Sequence, residues 1–251
     1  MPSGLTTTWM DTCHWFLPTA LGGPPSDPDV RNQLHHNNGD GTFTDVTKSR
    51  EPPSGIAFLN PGNANGICLG DIDNDGDIDA YFPNADQANR LVRNDLKETG
   101  QAIFTDITID SGAGDRGGAR GCTMADYDND GYLDIYVNNG GPSNTLFNDI
   151  VEGLSPFVQF YIAWTPGENG LYQNNGDGTF TNITQGSGAE GNGIGVGVAS
   201  GDVNGDGFMD IIAVNRTYYN RGELISESQQ NFLFLNKGNR NNWIKVALKG
   251  T

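Results

Sequence analysis

Apolar residues in this chain come in short runs that are bounded by polar residues and glycines. Three runs directly follow stretches dense in aspartate, and they lie at 80–82, 135–137 and 211–214. Glycine-rich runs precede the same stretches, at 66–69, 121–124 and 197–200. Short runs with β-branched and aromatic residues, separated by turn formers, are typical of strands. The pattern predicts an all-β protein in which each aspartate stretch connects two strands.

A second repeated pattern predicts hairpins. The sequence N-Q-L-H-H-N-N-G-D-G-T-F-T-D-V-T begins at residue 32, and N-G-L-Y-Q-N-N-G-D-G-T-F-T-N-I-T begins at 169. Related pieces begin at 89, 103, 144 and 231. Asn-Gly-Asp-Gly between two strand-like runs is a strong hairpin signal. Asp40 and Asp177 have no ladder of neighbouring ligands, so a turn is favoured there over a metal site.

Together these patterns define a unit of hairpin, glycine-rich strand, aspartate loop and apolar strand. The loops begin at residues 71, 126 and 202, so the spacings are 55 and 76 residues. About four short strands in a repeat of this length predict a propeller blade. The longer spacing includes the apolar segment 150–168, which could form an additional hairpin or a strand that fills a gap in the core.

The three aspartate stretches have the pattern of a cation site. They read D-I-D-N-D-G-D-I-D, D-Y-D-N-D-G-Y-L-D and D-V-N-G-D-G-F-M-D. Carboxylates crowded into one short loop repel each other unless a cation lies among them. Calcium takes six to eight oxygen ligands, which alternate residues of a tight loop can supply. An EF-hand is excluded because position 12 is Phe82, Val137 or Ala213, where a bidentate Glu is required.

The pattern assigns side-chain ligands to positions 1, 3, 5 and 9 and a backbone carbonyl to position 7. The predicted ligands are Asp71, Asp73, Asp75, Asp77 (carbonyl) and Asp79; Asp126, Asp128, Asp130, Tyr132 (carbonyl) and Asp134; and Asp202, Asn204, Asp206, Phe208 (carbonyl) and Asp210. The alternative is that Asp-Gly and Asn-Gly mark metal-free turns. Three copies with the same ligand positions favour about three Ca²⁺ ions, the third bound more weakly because its loop has fewer charges.

Charge, cysteine content and the lack of a membrane-span signal limit the possible partners and cellular location of the protein. The formal net charge is −17, which makes a nucleic-acid partner unexpected because phosphate binding needs a basic surface. Cys13, Cys68 and Cys122 are too few and too odd in number for a disulfide framework, so Cys68 and Cys122 are predicted to be small buried apolar residues. No stretch has the length of a membrane span, and no signal peptide is visible. Loops of modest charge suit millimolar calcium, so we expect an extracellular, cell-surface or periplasmic location.

Nothing in the sequence indicates catalysis. His35 and His36 occupy the slots that Val92-Arg93 and Tyr172-Gln173 fill in other hairpins, so the repeat does not require histidine there. Asp115 and Glu190 are an isolated acidic pair, better explained as surface charge. No nucleophile elbow, zinc-protease helix, Walker loop or dinucleotide fingerprint is present. The protein is therefore not expected to be an enzyme.

The loops and hairpins over residues 32–238 resemble FG-GAP/VCBS repeats, the blades of integrin α-subunit propellers and of many secreted bacterial proteins. The final N-R-N-N-W-I-K-V-A-L-K-G-T resembles the start of the ASPIC/UnbV domain, which follows such a propeller in the cartilage acidic protein family. The resemblance implies three regions: an irregular lead-in (1–31), propeller repeats (32–238) and a truncated ASPIC/UnbV-like domain (239–251). It also implies calcium in the loops, an extracellular setting and a role in adhesion.

The number of repeats departs from the family. Such propellers usually close with about seven blades, whereas three full units and a partial one give about four. The chain is thus expected to be a fragment or an open arc, and a fragment is favoured because the final domain stops after one strand. The leading hypothesis is a calcium-binding extracellular module with a structural or adhesive role towards a protein or glycan. The alternatives are a propeller domain of a secreted carbohydrate-active enzyme and a subunit whose open edges pair between copies.

Overall fold

The computed structural model describes residues 15–17, 33–47, 64–85, 87–115, 118–140, 167–216, 219–220, 223–224, 230–239 and 241. Regular structure there consists of antiparallel sheets and two four-residue helices, α1 (Leu96–Thr99) and α2 (Thr108–Ser111). The predicted all-β class is confirmed. Neither helix of the described part is long and apolar enough to cross a membrane.

The first two sheets come from the N-terminal half. The leading sheet contains β1 (Trp15–Leu17), β2 (Gln33–Asn37) and β3 (Phe43–Asp45) in that order. The first blade contains β4 (Cys68–Gly70), β5 (Asp79–Phe82), β6 (Arg90–Asn94) and β7 (Phe104–Asp106), also in chain order. α1 lies in the β6–β7 connection and α2 follows β7. The strand β1 lies within the predicted irregular lead-in and pairs with β2.

The second blade repeats this arrangement. Its strands are β8 (Gly121–Ala125), β9 (Asp134–Asn138), β11 (Gly170–Asn174) and β12 (Phe180–Asn182), with β8 and β12 at the edges. A separate two-stranded pair joins β10 (Gly167–Glu168) to β13 (Asn192–Gly193). Most of the 150–168 segment lies outside the described residues, so both interpretations of it stay predictions.

The third blade has three described strands, which are β14 (Gly195–Gly201), β15 (Asp210–Asn215) and β18 (Phe232–Phe234). A small pair, β16 (Tyr219–Asn220) and β17 (Glu223–Leu224), lies in the connection between β15 and β18. The glycine-rich strand, the aspartate loop and the apolar strand therefore follow one another in all three blades, as the sequence predicted.

The boundary between blades differs from the predicted unit. The predicted order began with the hairpin, whereas β6 pairs with β5 and β11 pairs with β9, so each of these hairpins belongs to the sheet of the loop that precedes it. A repeating sequence can be divided at any point, and only the hydrogen bonds between strands decide where a sheet begins. Each blade begins at its glycine-rich strand.

Neighbouring sheets bury their apolar faces against each other. Side chains on a strand alternate between the two faces, and Phe82 accordingly clusters with Leu34 of the leading sheet while Tyr81 clusters with Ile135 and Val137 of the second blade. A third cluster, between the second and third blades, includes Tyr127, Tyr136, Leu171, Ile211 and Ala213. The sheets are therefore held together as a series of blades, as in a propeller.

The glycine-rich strands allow close approach between blades, and here one prediction is wrong. A side chain at Gly121 would meet the Cα of Gly197 at 3.2 Å. Next to this contact, Cys68 of β4 and Cys122 of β8 form a disulfide with a Cα–Cα distance of 5.9 Å. Both residues contact the core, as expected, but they are not free thiols. The two cysteines are not at equivalent positions of the repeat, so the sequence pattern did not suggest a pair. The pairing depends instead on how the first and second blades pack against each other.

Candidate metal centre

The three aspartate stretches form the β4–β5, β8–β9 and β14–β15 connections, and we call them the first loop (71–79), second loop (126–134) and third loop (202–210). Each loop is organised by its first carboxylate. Asp71 accepts hydrogen bonds from the backbone N–H groups of residues 75 and 76 at 3.1 and 2.9 Å. Asp126 and Asp202 accept the equivalent bonds in their own loops, at 3.0–3.1 Å. Position 1 therefore fixes the turn in all three loops.

The ninth position fixes each loop to its blade. Asp79 is fully buried, and its carboxylate accepts the N–H of Ile72 at 2.9 Å and the N–H of Asn94 at 2.8 Å. Asp134 accepts the N–H groups of residues 127 and 174, and Asp210 accepts those of residues 203 and 236. A carboxylate that accepts two N–H bonds still has lone pairs for a metal ion. The loop is thus held in place before any ion is considered.

Carboxylates converge in the first two loops. Oxygens of Asp71, Asp73 and Asp79 lie within 4.8 Å of one another, as do those of Asp126, Asp128 and Asp134. In the third loop, Asp202 and Asp206 are exposed, and the Asn204 amide donates to Asp206 at 2.8 Å. No trio of acidic groups that close was found in the third loop, all of whose residues are described. The predicted residues are therefore brought together most closely in the first two loops.

Two buried carboxylate oxygens indicate whether the first loop suits a cation. Asp73 Oδ1 and Asp75 Oδ2 in the first loop are buried from solvent and have no hydrogen-bond partner. Buried polar atoms are normally paired, because an unpaired one costs about 1–3 kcal/mol. Oxygen-only ligands of this kind are those that calcium prefers. The residues of the first loop therefore fit a calcium ion.

Some carboxyls of the first two loops have raised pKa values. Burial, opposed in part by hydrogen bonds and reinforced by Asp73 and Asp75, raises the pKa of Asp79 to about 7. Burial likewise raises the pKa of Asp134 to about 7, with Asp128 and Asp130 adding to the effect. The pKa values of Asp73 and Asp128 are also raised, again chiefly by burial. A cation among these groups would favour their charged forms.

The position-7 residues have distinct surroundings. The Asp77 carboxylate accepts the N–H of Lys97, and burial raises its pKa. The rings of Tyr132 and Phe208 lie against Gly176 and Gly238, where a Cβ would come within 2.9 and 2.6 Å of them. Both glycines have positive φ, which favours glycine. The use of the three position-7 carbonyls as ligands stays a prediction.

Asparagine links successive loops, a feature that the sequence analysis missed. Asn74 donates to the carbonyl oxygen of Gly131 at 2.8 Å, and Asn129 donates to that of Gly207 at 3.2 Å. Both asparagines have φ near +60°, a conformation that asparagine tolerates better than most residues. The third loop has Gly205 at this position. The N-D-G triplet that recurs in the first two loops could have drawn attention to these asparagines. The carbonyl that each one contacts lies in another repeat, so the sequence did not reveal it.

A second missed residue is Glu98, on α1. One of its oxygens lies within 4.8 Å of oxygens of Asp73 and Asp75, so a carboxylate from the neighbouring hairpin approaches the first loop. The other hairpin acids behave as predicted: Asp40 and Asp177 accept bonds from Thr42 and Thr179 and form turns. His35 and His36 are half-buried on β2.

Comparison with known proteins agrees with this geometry. The FG-GAP-like repeat matches residues 21–82, 71–137 and 159–213. Cartilage acidic protein 1 of Homo sapiens is 28% identical over 220 residues, and that of Xenopus tropicalis is 29% identical over 221. Each alignment covers 86% of this chain and 28% of the relative. The chain thus spans less than a third of the length of these relatives.

Proposed function

Because the chain belongs to the family of FG-GAP-like repeat proteins, we propose that its three acidic loops bind calcium and that the blades form an extracellular interaction module. The observation that carries the proposal is the pair of buried, unpartnered oxygens of Asp73 and Asp75 beside the clustered carboxylates of the first loop. Bound calcium supplies positive charge to these oxygens. The shared hydrogen bonds of positions 1 and 9 support extending the assignment to the second and third loops.

In this proposal calcium has a structural role. Asp79 joins its loop to Asn94 on β6, and Asn74 joins the first loop to the second. An ion that relieves carboxylate repulsion stabilises these connections, and through them the order of the blades. The protein without calcium is then expected to open locally at the loops and to be cleaved there by proteases.

The proposed setting is extracellular, cell-surface or periplasmic. The Cys68–Cys122 disulfide supports it, since disulfides persist mainly in oxidising compartments. We propose that the partner is a protein or glycan and that the module acts by binding, without catalysis. We further propose that the repeats occupy residues 32–238 and that 239–251 begin an ASPIC/UnbV-like domain.

A thermal melt with calcium or with chelator, paired with calorimetric counting of ions, tests the calcium proposal. Calcium at one hundred times its dissociation constant adds about 2.7 kcal/mol per site to the free energy of unfolding. We expect a count near three and a large rise in melting temperature, with magnesium at the same concentration giving a smaller rise because it requires stricter octahedral geometry. No heat of binding and no shift with calcium would refute the proposal.

A further inference from the structure

The hairpin connection next to the first loop differs from the one next to the second loop. The β11–β12 hairpin turns through the glycine-containing segment 175–178, whereas the β6–β7 connection contains α1. α1 is fixed to the first loop by the backbone N–H of Lys97, which donates to Asp77. The next residue along α1 is Glu98. The longer connection therefore brings an additional acidic side chain to this loop.

The position of Glu98 suits a shared ion. Its carboxylate lies within 4.8 Å of Asp73 and Asp75, and Asp73 is equally close to Asp71 and Asp79. Ligand oxygens around one calcium ion, each 2.3–2.6 Å from it, are at most about 5 Å apart. The two buried oxygens without a hydrogen bond belong to Asp73 and Asp75, the residues that Glu98 approaches. These distances allow the exposed Glu98 to contact the same ion as Asp73 and Asp75, and Asp73 belongs to both groups of carboxylates.

The nearby cation of Arg93 makes its hydrogen bond outside the first loop. The Arg93 guanidinium donates to Asp95 at 2.7 Å, and this bond is the main reason why its pKa is raised, with smaller contributions from Asp73 and Glu98. At the equivalent place in the second blade, the Gln173 amide donates to Asp128 at 2.6 Å. The second and third loops, both described in full, have no buried carboxylate oxygen without a hydrogen bond. The first loop alone combines unpartnered oxygens with an added carboxylate.

We propose that Glu98 is an additional ligand of the calcium ion held by the first loop and makes that loop the tightest of the three sites. This inference rests on the proposed function. Affinity in such loops rises with the number of charged ligands. Glu98 lies outside the nine-residue repeat, so its contribution is specific to the first loop.

Hydrogen exchange measured by mass spectrometry during a calcium titration of the full chain tests the proposal, because peptides covering 71–79, 126–134 and 202–210 report each loop separately. We expect Glu98→Gln to raise the calcium midpoint of the first loop about tenfold, since one charged ligand is lost, and to leave the other two midpoints unchanged. The matched control is Asp110→Asn, which removes one charge from an exposed side chain on the equally short α2.

Equal midpoints in the two variants would overturn the inference. A fall of one in the number of ions bound at saturation would also overturn it, because Glu98 would then hold a separate ion. Calcium-dependent protection of the second and third loops shows in the same samples that the variant is folded. If no loop of the wild-type protein is protected by calcium, the proposed function itself fails, which is a different result from a failure of Glu98 alone.

Discussion

The first and third loops share the same backbone hydrogen bonds but differ in their acidic side chains. In both, the carboxylate at position 1 accepts the amides of positions 5 and 6. The carboxylate at position 9 accepts one amide of the loop and one from the neighbouring strand's end (Asn94) or just beyond it (Asn236). Position 9 is buried in each. The first loop, however, has five aspartates and approaches Glu98, whereas the third has three aspartates and Asn204.

This difference distinguishes the residues that shape the loop from those expected to affect cation binding. The hydrogen bonds that shape the turn are satisfied in the third loop, where Asn204 donates to Asp206. The first loop has the same shape, yet it retains buried oxygens without partners. Positions 1 and 9 hold the turn in both loops, and position 5 accepts the N–H of position 7 in both. We therefore expect the charges at positions 3 and 5 to affect cation binding more than the shape of the turn.

The largest expected effect is a pH-dependent loss of stability in chelator, attributed to the first two loops. Burial raises the pKa of Asp79 to about 7, above the ordinary value of 3.8, so the folded protein retains a proton that the unfolded chain releases. The free energy of unfolding should therefore fall as pH rises from about 4 to about 7, by about 4 kcal/mol for Asp79. Urea denaturation across this range measures it.

Saturating calcium should flatten this decline, because it favours the charged carboxylates. Asp79→Asn, which has no carboxyl at this position, should reduce the slope in chelator. Asp106 does not offset the decline, since its pKa is lowered and its contribution is complete above pH 4. Stability in chelator that rose steadily from pH 4 to 7 would contradict the expectation.

A smaller effect should follow from making the third loop more like the first. Asn204→Asp adds a carboxylate at position 3, and we expect it to raise the calcium affinity of the third loop about tenfold, or about 1.4 kcal/mol. In chelator the same variant should be less stable than the wild type because of repulsion with Asp202 and Asp206. Exchange protection of residues 202–210 during a calcium titration gives the affinity.

The control for Asn204→Asp is Asn192→Asp, which adds the same charge at an exposed position of β13. An equal gain in calcium affinity in both variants would show that overall charge, and not the ligand position, governs binding in the third loop.

The smallest effect concerns the link between loops. Asn74→Gly gives the first loop the residue type that the third has at Gly205, and it removes the bond to the Gly131 carbonyl. Glycine accepts the positive φ of this position, so only the bond is lost and stability should fall by about 1 kcal/mol or less. Asn74→Ala should cost roughly 1–2 kcal/mol more, since alanine is strained there. Urea denaturation midpoints of the two variants, measured in calcium, distinguish the loss of the hydrogen bond from the backbone strain. If Asn74→Gly left the midpoint unchanged, the link would not stabilise the blades.

The sequence predicted what repeats locally. The apolar runs after the loops form β5, β9 and β15, and the position-9 aspartates begin these strands because the chain leaves the turn there. Hairpins formed where Asn-Gly-Asp-Gly set the turn. These features depend on neighbours in the chain, and a pattern repeated three times reports them directly.

Contacts between repeats could not be predicted in the same way. The Cys68–Cys122 disulfide, the bond from Asn74 to Gly131 and the approach of Glu98 each join parts of the chain whose proximity depends on strand order and blade packing. Glu98 was missed for an additional reason: it lies in the β6–β7 hairpin, which lacks the Asn-Gly-Asp-Gly turn of the β2–β3 and β11–β12 hairpins. The additional carboxylate therefore lies where the chain departs from the repeat, and a search for repeated residues does not find it.

The cysteine pair also determines how the chain responds to tension. The disulfide closes a covalent ring with a sequence separation of 54 residues that contains all four strands of the first blade and the first loop. Force applied at the two chain ends passes through the sulfur atoms and bypasses that segment. About 180 Å of contour length, at roughly 3.4 Å per residue, would therefore not extend until the bridge is reduced. A pulled molecule can lose its outer strands while the first loop, inside the ring, bears no load.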